Sequence, residues 1–440
     1  MKILLIQPKS KRRPMDTDLK LRMSPSLALL TIANLTPPEI EVVIINENVD
    51  KIDYNFPADL VGITVTVDAL PRAAEIAEKF KRKGRTVVAG GIHITACPKE
   101  TAPFFDSICV GKAEGVWAKM LEDFTAKKLE KIYRDPVDSQ VSSPLYNFKS
   151  KKKYIYNNVI STSRGCPFSC DFCYNSNCNI HYMNREIDDV ITDIKTINRR
   201  HILFIDDNFI GNPVWTEKFL KEIIPMRLKW SAAITSNVTD KMLDLMVESG
   251  CQSLFIGFES LNQDSLRAVH KVQNNRGNFE ILVERLHSRG IMINASIVFG
   301  LPNDTEKIFD ETLEWCVKNR IETVTAHILT PYPGTKLYEK MLSEEKIIDF
   351  DLSHYDTAHV VIKPDGMTPE TLYTGYINFY KKLYSFKNII KRMPISKKQR
   401  VPFLLFNFMY RKFGRLSSAL ARIIPLEYMG KIAAKLSYKL

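Results

Sequence analysis

The chain has 440 residues, too many for one ordinary core, and its 45% hydrophobic and 25% charged content is that of a folded soluble protein. No stretch reaches the about 18 uninterrupted apolar residues of a transmembrane helix. The opening MKILLIQP is too short for a signal peptide and runs straight into Lys9, Lys11, Arg12 and Arg13.

The expected location is therefore the cytoplasm, where the eight cysteines stay reduced and clustered ones point to metal or catalysis before disulfides. The net charge of +12 is uneven: residues 381–440 carry 15 Lys and Arg against one acid, Glu427, which leaves the first 380 residues at −2. A basic tail of this kind suits a nucleic-acid enzyme or a protein that leans on an anionic membrane surface.

In chain order, the first ~140 residues alternate short apolar runs with helical patterns, as in a doubly wound parallel sheet. Strands are predicted at Lys2–Gln7, Glu41–Asn46, Asp59–Val65, Thr86–Ala89 and Ser107–Val110, with helices at Ser26–Leu35 and Leu70–Phe80. Such sheets bind ligands at the carboxyl ends of their strands. The candidates there are Pro8, Thr64, Val65 and Thr66, the turn Gly90-Gly91-Ile92-His93, and Gly111 to Glu114.

Lys149 to Lys153 read as a basic linker, and a second alternating series follows. Its strands are predicted at Asn158–Thr162, Ile202–Ile205, Ala232–Thr235, Ser253–Phe258, Asn294–Phe299 and Thr323–Leu329. Ile187, Val190, Ile191, Ile194 and Ile197 recur at helical spacing, and Asn303 with Glu306 reads as a capping box. Six strand–helix units suit an open, partial barrel with function on the loops after the strands. The expected domains are 1–148, 149–340 and a mostly helical, basic 341–440.

The informative stretch is Ser163-Arg-Gly-Cys166-Pro-Phe-Ser-Cys170-Asp-Phe-Cys173, a Cys-x3-Cys-x2-Cys spacing directly after the first barrel strand. Thiolates ligate iron–sulfur clusters, and three on one loop hold three irons of four, leaving the last open. Zinc prefers four ligands, usually in two separated pairs, and Cys178 fits poorly as a fourth.

Over about Tyr154 to Tyr338 the sequence resembles the radical S-adenosylmethionine (SAM) superfamily, whose hallmark is this loop. The resemblance implies a 4Fe–4S cluster on Cys166, Cys170 and Cys173, with SAM chelating the open iron, and a one-electron donor such as flavodoxin or ferredoxin. It places Phe172 on the adenine of SAM and backbone contacts to the SAM amino group at Phe204-Ile-Asp206-Asp207. Asp-Asp replaces the frequent Gly-Gly-Glu there and leaves the roles of Asp206 and Asp207 open. Asn237, Glu259, Gly300 and the Thr330 to Thr335 turn follow later strands, and Glu259 is a candidate for a SAM ribose or amino contact. Each also has a plain alternative, as a helix cap, a turn former or an ion pair.

The front module is similar to the cobalamin-binding module of one radical SAM branch. Thr64, Thr66, Gly90, Gly91, His93, Gly111 and Glu114 are the implied contacts, with the glycines letting backbone approach a bulky planar ligand. There is no Asp-x-His-x-x-Gly after the first strand, so cobalamin would be held without the usual histidine. His93 is either a substitute ligand or a turn histidine bonded locally. Val401 to Tyr410 between basic clusters reads either as a helix in a membrane interface or as a buried terminal helix.

The function implied is reductive cleavage of SAM and methylation of an unactivated carbon on a small-molecule or lipid-like substrate. The alternatives are a cobalamin-dependent oxidative cyclase and, from a different class, a cluster or corrinoid sensor. Methylthiolation usually needs three more cysteines in the front module, and only Cys97 and Cys109 lie there.

Overall fold

The computed structural model describes residues 1–440 except 18, 137–139, 149–152, 177–180, 272, 413 and 415–440. The expected linker at 149–153 thus lies almost wholly outside the described residues, as does Cys178.

The front sheet contains β1 (Lys2–Gln7), β2 (Glu41–Asn46), β3 (Leu60–Thr64), β4 (Thr86–Gly90), β5 (Ser107–Val110) and β6 (Ile132–Arg134). Their order is β2-β1-β3-β4-β5-β6, and every pairing is parallel. β1 reads as an unbroken apolar run because helices cover both its faces, and Ile3, Leu4, Leu5 and Ile6 are all buried. The strand order reverses between β1 and β3, which opens a crevice at their carboxyl ends. β6 has three residues and no alternation of its own, so it has no period to read in the sequence.

β7 (Val159–Ile160) starts the second sheet. A ribbon of β8 (Ser163–Arg164) and β9 (Met183–Asn184) follows it, antiparallel, and closes the two ends of the cysteine loop. The sheet continues with β10 (His201–Phe204), β11 (Lys229–Thr235), β12 (Cys251–Glu259), β13 (Met292–Phe299) and β14 (Thr323–Ile328). Its order, β14-β13-β12-β11-β10-β7, is parallel throughout and does not close, because β14 and β7 are not paired. Strand residues alternate between its two faces. Trp230, Ala232 and Ile234, like Val324, Ala326 and Ile328, are buried against the outer helices, whereas Ser231, Ala233, Thr325 and His327 on the inner face are only half-buried.

One expectation changes, and for the terminal segment the described residues follow the buried alternative. Asn303 and Glu306 form no capping box: the helix is Ile308–Lys318, its cap is Lys307, and Asn303 sits in a left-handed turn at φ +69°. Asp304 takes over the local polar role, accepting from Gly300 N at 3.1 Å and Leu301 N at 3.0 Å. In the terminal region, Phe403 and Asn407 are buried. Asn407 bonds the fully buried Arg392, whose guanidinium also donates to the carbonyls of Ile321, Glu322 and Leu383. The described part of this segment is therefore docked on the barrel. Among the described residues no helix is long and apolar enough to cross a membrane.

Candidate active site

The β8–β9 ribbon gathers the three cysteines on one loop. Cys170 is buried, and Cys166 and Cys173 are half-buried; none of the three is in a disulfide. The loop is pinned by Cys173 N donating to Cys170 O (3.1 Å), Ser176 Oγ to Cys170 O (2.9 Å) and Asp171 N to Val269 O (3.3 Å). Gln273 Nε2 lies 3.5 Å from Cys170 Sγ. Loss of hydration pushes the Cys173 thiol up to about 12, so with no metal the thiol keeps its proton, and a metal must displace it.

Among the described residues no three His, Cys, Asp or Glu side chains stand close enough to hold a single metal ion. A four-iron cluster takes each thiolate at a different corner, so its ligands stand further apart. A set of three thiols alone fits that group and falls short of zinc's usual four ligands.

The other barrel residues divide sharply. Phe172 packs against the apolar cluster that Val298 and Tyr332 also flank, and Lys271 Nζ sits 5.8 Å from its ring centroid. Glu259 ends β12 at φ +64° and is buried; it accepts from Lys271 Nζ at 3.0 Å and Ser296 Oγ at 3.2 Å. A non-glycine residue held there is backbone strain of the kind that collects at functional sites. Gly257 makes room for it, since a Cβ there would lie 2.5 Å from Glu259 Oε1. Phe172, Lys271 and Glu259 thus form one group beside the cysteine loop.

Asp206 does not join them. It is buried and accepts from Thr162 N (2.7 Å), Ser163 N (2.7 Å), Thr162 Oγ1 (2.9 Å) and Ser163 Oγ (3.0 Å). Those bonds brace the entry to the cysteine loop and use both carboxylate oxygens. Asp207 is exposed at the barrel mouth, where its charge acts on Cys166 and Cys173. Asn237 is exposed and makes no hydrogen bond among the described residues, while its neighbour Ser236 donates to Asn274 Oδ1 at 2.8 Å. Gly300 adopts φ +87°, and its bare Cα faces Leu372, so it shapes the turn and abuts an outer helix.

At the carboxyl ends of β1, β3, β4 and β5 lies a cavity of about 820 Å³. Thr64, Thr66, Gly90, Gly91, Gly111 and Glu114 all line it, as the strand-end argument expects. Gly91 is required by its turn: at φ +117° a Cβ would meet Val65 O at 2.7 Å. His93 does not line the cavity. It is turned away and buried, with Nδ1 3.1 Å from Tyr174 Oη, and Tyr174 in turn stacks on Tyr332 at 4.9 Å. Burial lowers the imidazole to about 4, so it is neutral at pH 7. Of the two readings of His93, a substitute ligand or a turn histidine, the hydrogen bond follows the second in kind but not in range: it ties the front sheet to the cysteine loop.

The cavity's far wall includes Arg164 and His181 from the barrel side, and Arg164 is two residues from Cys166. Gln7 and Thr31 line it, and Gln7 Oε1 and Thr31 Oγ1 are buried with no hydrogen-bond partner among the described residues. Buried polar atoms without a partner are costly, and a side-chain rotation toward a polar-rimmed ligand would satisfy them. The space and these atoms fit a large planar cofactor with amide side chains, as cobalamin is. Arg164, Lys271, Gln7 and Thr31 were not separable in the sequence. Only Arg164, beside the cysteine motif, carries any local signal.

An incomplete six-stranded barrel with a three-cysteine loop after its first strand, behind a doubly wound sheet with an open crevice, defines a class of enzyme built around a redox-active cluster. The model of the radical SAM superfamily matches residues 160–316. Bacteriochlorophyllide d C-12(1)-methyltransferase of Chlorobaculum tepidum is 30% identical over 94% of this chain and 93% of its own length. The C-8(2)-methyltransferase of the same organism is 28% identical over 86% and 89%. The solved structure of the radical SAM methyltransferase TsrM from Kitasatospora setae, with cobalamin and a 4Fe–4S cluster bound, superposes with a TM-score of 0.68, covering 98% of this chain and 99% of that one at 14% identity. The chain belongs to the radical SAM superfamily, and its fold, with a doubly wound module ahead of the barrel, is that of the cobalamin-bound structure.

Proposed function

We propose that this enzyme is a cobalamin-dependent C-methyltransferase that acts on an unactivated carbon. One observation carries the reading: a single cavity runs from the strand ends of the front sheet to Arg164, next to the cysteine loop. Two redox cofactors placed on its two sides share one reaction space. The two bacteriochlorophyllide methyltransferases, similar along nearly the whole chain, support it.

In this reading Cys166, Cys170 and Cys173 hold the cluster. Bound there, the reduced cluster supplies the electron that splits SAM, and cobalamin supplies the methyl group. The chain's own residues orient and shield. Phe172 offers a face for the adenine, Glu259 with Lys271 offers a fixed charge pair to SAM, and Asp206 keeps the loop in place. Thr64, Thr66, Gly90, Gly91, Gly111 and Glu114 cradle the cobalamin, and Gln7 and Thr31 satisfy its polar rim. The Tyr174–Tyr332 stack, backed by His93, seals the seam between the two sheets against water. The partners are a one-electron donor of the flavodoxin or ferredoxin kind and a small-molecule substrate, met in the cytoplasm.

The test starts with protein purified without oxygen, its cluster rebuilt and hydroxocobalamin added. About one retained cobalamin per chain is expected in the visible spectrum, followed by transfer of a trideuteromethyl group from labelled SAM to a product. An intact cluster without retained cobalamin overturns the reading. A product that loses hydrogen and gains no methyl points to oxidative cyclisation instead.

A further inference from the structure

The connection from β1 to the helix Leu27–Leu35 is unusually long for a strand–helix loop, where about 2–6 residues is common. Its described residues leave the front sheet and reach the barrel on the β14 side. Lys11 Nζ reaches Asp351 at 3.5 Å, and Arg13 Nη1 donates to Thr357 Oγ1 at 2.8 Å. Loops that are both long and ordered usually serve a site.

Thr357 is held at φ +65°. A β-branched residue in that region is a true outlier and marks strain maintained by its surroundings. Its carbonyl accepts from Ile328 N at 2.8 Å, which fixes it to the end of β14. Its hydroxyl lies 2.9 Å from His327 Nδ1. The single hydroxyl proton cannot point at Arg13, which is a pure donor, so it goes to Nδ1. His327 then carries its own proton on Nε2, on the inner face of the barrel. Nε2 has no hydrogen-bond partner among the described residues.

His327 faces Val298 across the β13–β14 register, and Val298 and Phe172 flank the same apolar cluster. The imidazole is therefore on the barrel face that adjoins the expected SAM site. Burial and the charges of Arg13, Lys20 and Arg411 lower it to about 3, which keeps it neutral. Lys20 Nζ and Arg13 Nε both pair with Asp16, at 2.9 and 3.1 Å, and Arg13 Nη2 bonds nothing among the described residues. Asp356, the next nearest acid, is turned to His359 at 2.9 Å. Donors converge on this corner of the barrel mouth, with one described carboxylate shared among them.

We propose that Arg13, Lys20 and His327, set by Thr357, form a subsite for an anionic group of the substrate, a carboxylate or a phosphate. It holds that end of the substrate at β14 while the reacting carbon lies toward the cluster. The inference deepens the reading of the barrel mouth as the reaction space.

The test does not need the substrate. Full-length reconstituted protein is treated with phenylglyoxal, and modification of Arg13 is followed by peptide mass spectrometry. Inorganic phosphate, acetate and neutral acetamide are titrated separately at constant ionic strength. At four times its dissociation constant the bound anion should slow Arg13 labelling about fivefold. Acetamide should not slow it, and the better of phosphate and acetate names the group. Thr357→Val, which keeps the shape and removes the hydroxyl, should weaken the protection. A labelling rate unchanged by either anion, or slowed equally by acetamide, overturns the subsite. Because the readout needs no methyl transfer, loss of the methyltransferase reading and loss of the subsite are separate outcomes.

Discussion

Asp206 offers the sharpest test of how the site is built, because two roles for it predict opposite mutant behaviour. As a brace it accepts two backbone N–H groups and two hydroxyls at the entry to the cysteine loop. Asp206→Ala leaves both buried N–H groups unpaired, at about 1–3 kcal/mol each, so a loss of about 4 kcal/mol is expected. Asp206→Asn is much milder. Its oxygen can still accept both N–H groups, and its amide can donate to the Thr162 hydroxyl, which reverses its role. Only the charge assistance is lost, about 1 kcal/mol. The assay is urea unfolding of the apo-protein paired with SAM binding and iron content after cluster rebuilding. Asp206→Asn should keep iron and SAM, and Asp206→Ala should lose stability and iron together. An Asp206→Asn protein that is stable and loaded with iron yet fails to bind SAM would refute the brace and make Asp206 a direct ligand contact.

Other outcomes follow from the same geometry. Cys170→Ala should abolish cluster assembly and formation of 5′-deoxyadenosine, both measured after anaerobic rebuilding; cleavage surviving in that variant would remove the loop from the chemistry. Thr31→Val removes the buried, unpaired hydroxyl of a residue that lines the front cavity and should weaken cobalamin retention severalfold by visible titration, with stability unchanged or improved. His93, lowered to about 4 by burial, contributes stability that is complete above about pH 6.5 and is lost as the pH falls toward 4. At about 1.4 kcal/mol per unit this amounts to about 3 kcal/mol, so His93→Gln should flatten the acid limb of the unfolding profile, and an unaltered limb would show that another group controls it.

Much of this architecture is local and therefore readable from the chain. β1 shows as an apolar run, the barrel strands as alternation, and the cysteine loop as a spacing, because each property belongs to consecutive residues. The cavity lining was legible for a different reason: in a parallel sheet the strand ends converge on one edge, so Thr64, Gly90 and Gly111 had to meet. What stayed hidden depends on partners far away in sequence. His93 looks like a turn histidine until Tyr174 is found against it, 81 positions on. Asp206 sits in a motif position associated with cofactor contact, and only the folded backbone of Thr162 and Ser163 shows its carboxylate already saturated. The Asn303–Glu306 pattern matched a capping box by spacing alone. The left-handed turn at Asn303 and the pull of Asp304 on Gly300 and Leu301 moved the helix start to Ile308. Arg13 carried no signal, since its meaning lies in Thr357, 344 positions away.

The seam formed by His93, Tyr174 and Tyr332 bears on how this architecture can be rearranged. Tyr174 adjoins Cys173, yet one of its neighbours belongs to the front sheet and the other to the loop after β14. The segment that gathers the thiols is thus finished by residues from both ends of the chain. Grafting a different front module onto this barrel would replace one ring of that sandwich along with the cofactor shelf. A chimera that keeps every cysteine would still leave Tyr174 unsupported on one side, so exchange between relatives has to carry the front sheet and the cysteine loop together.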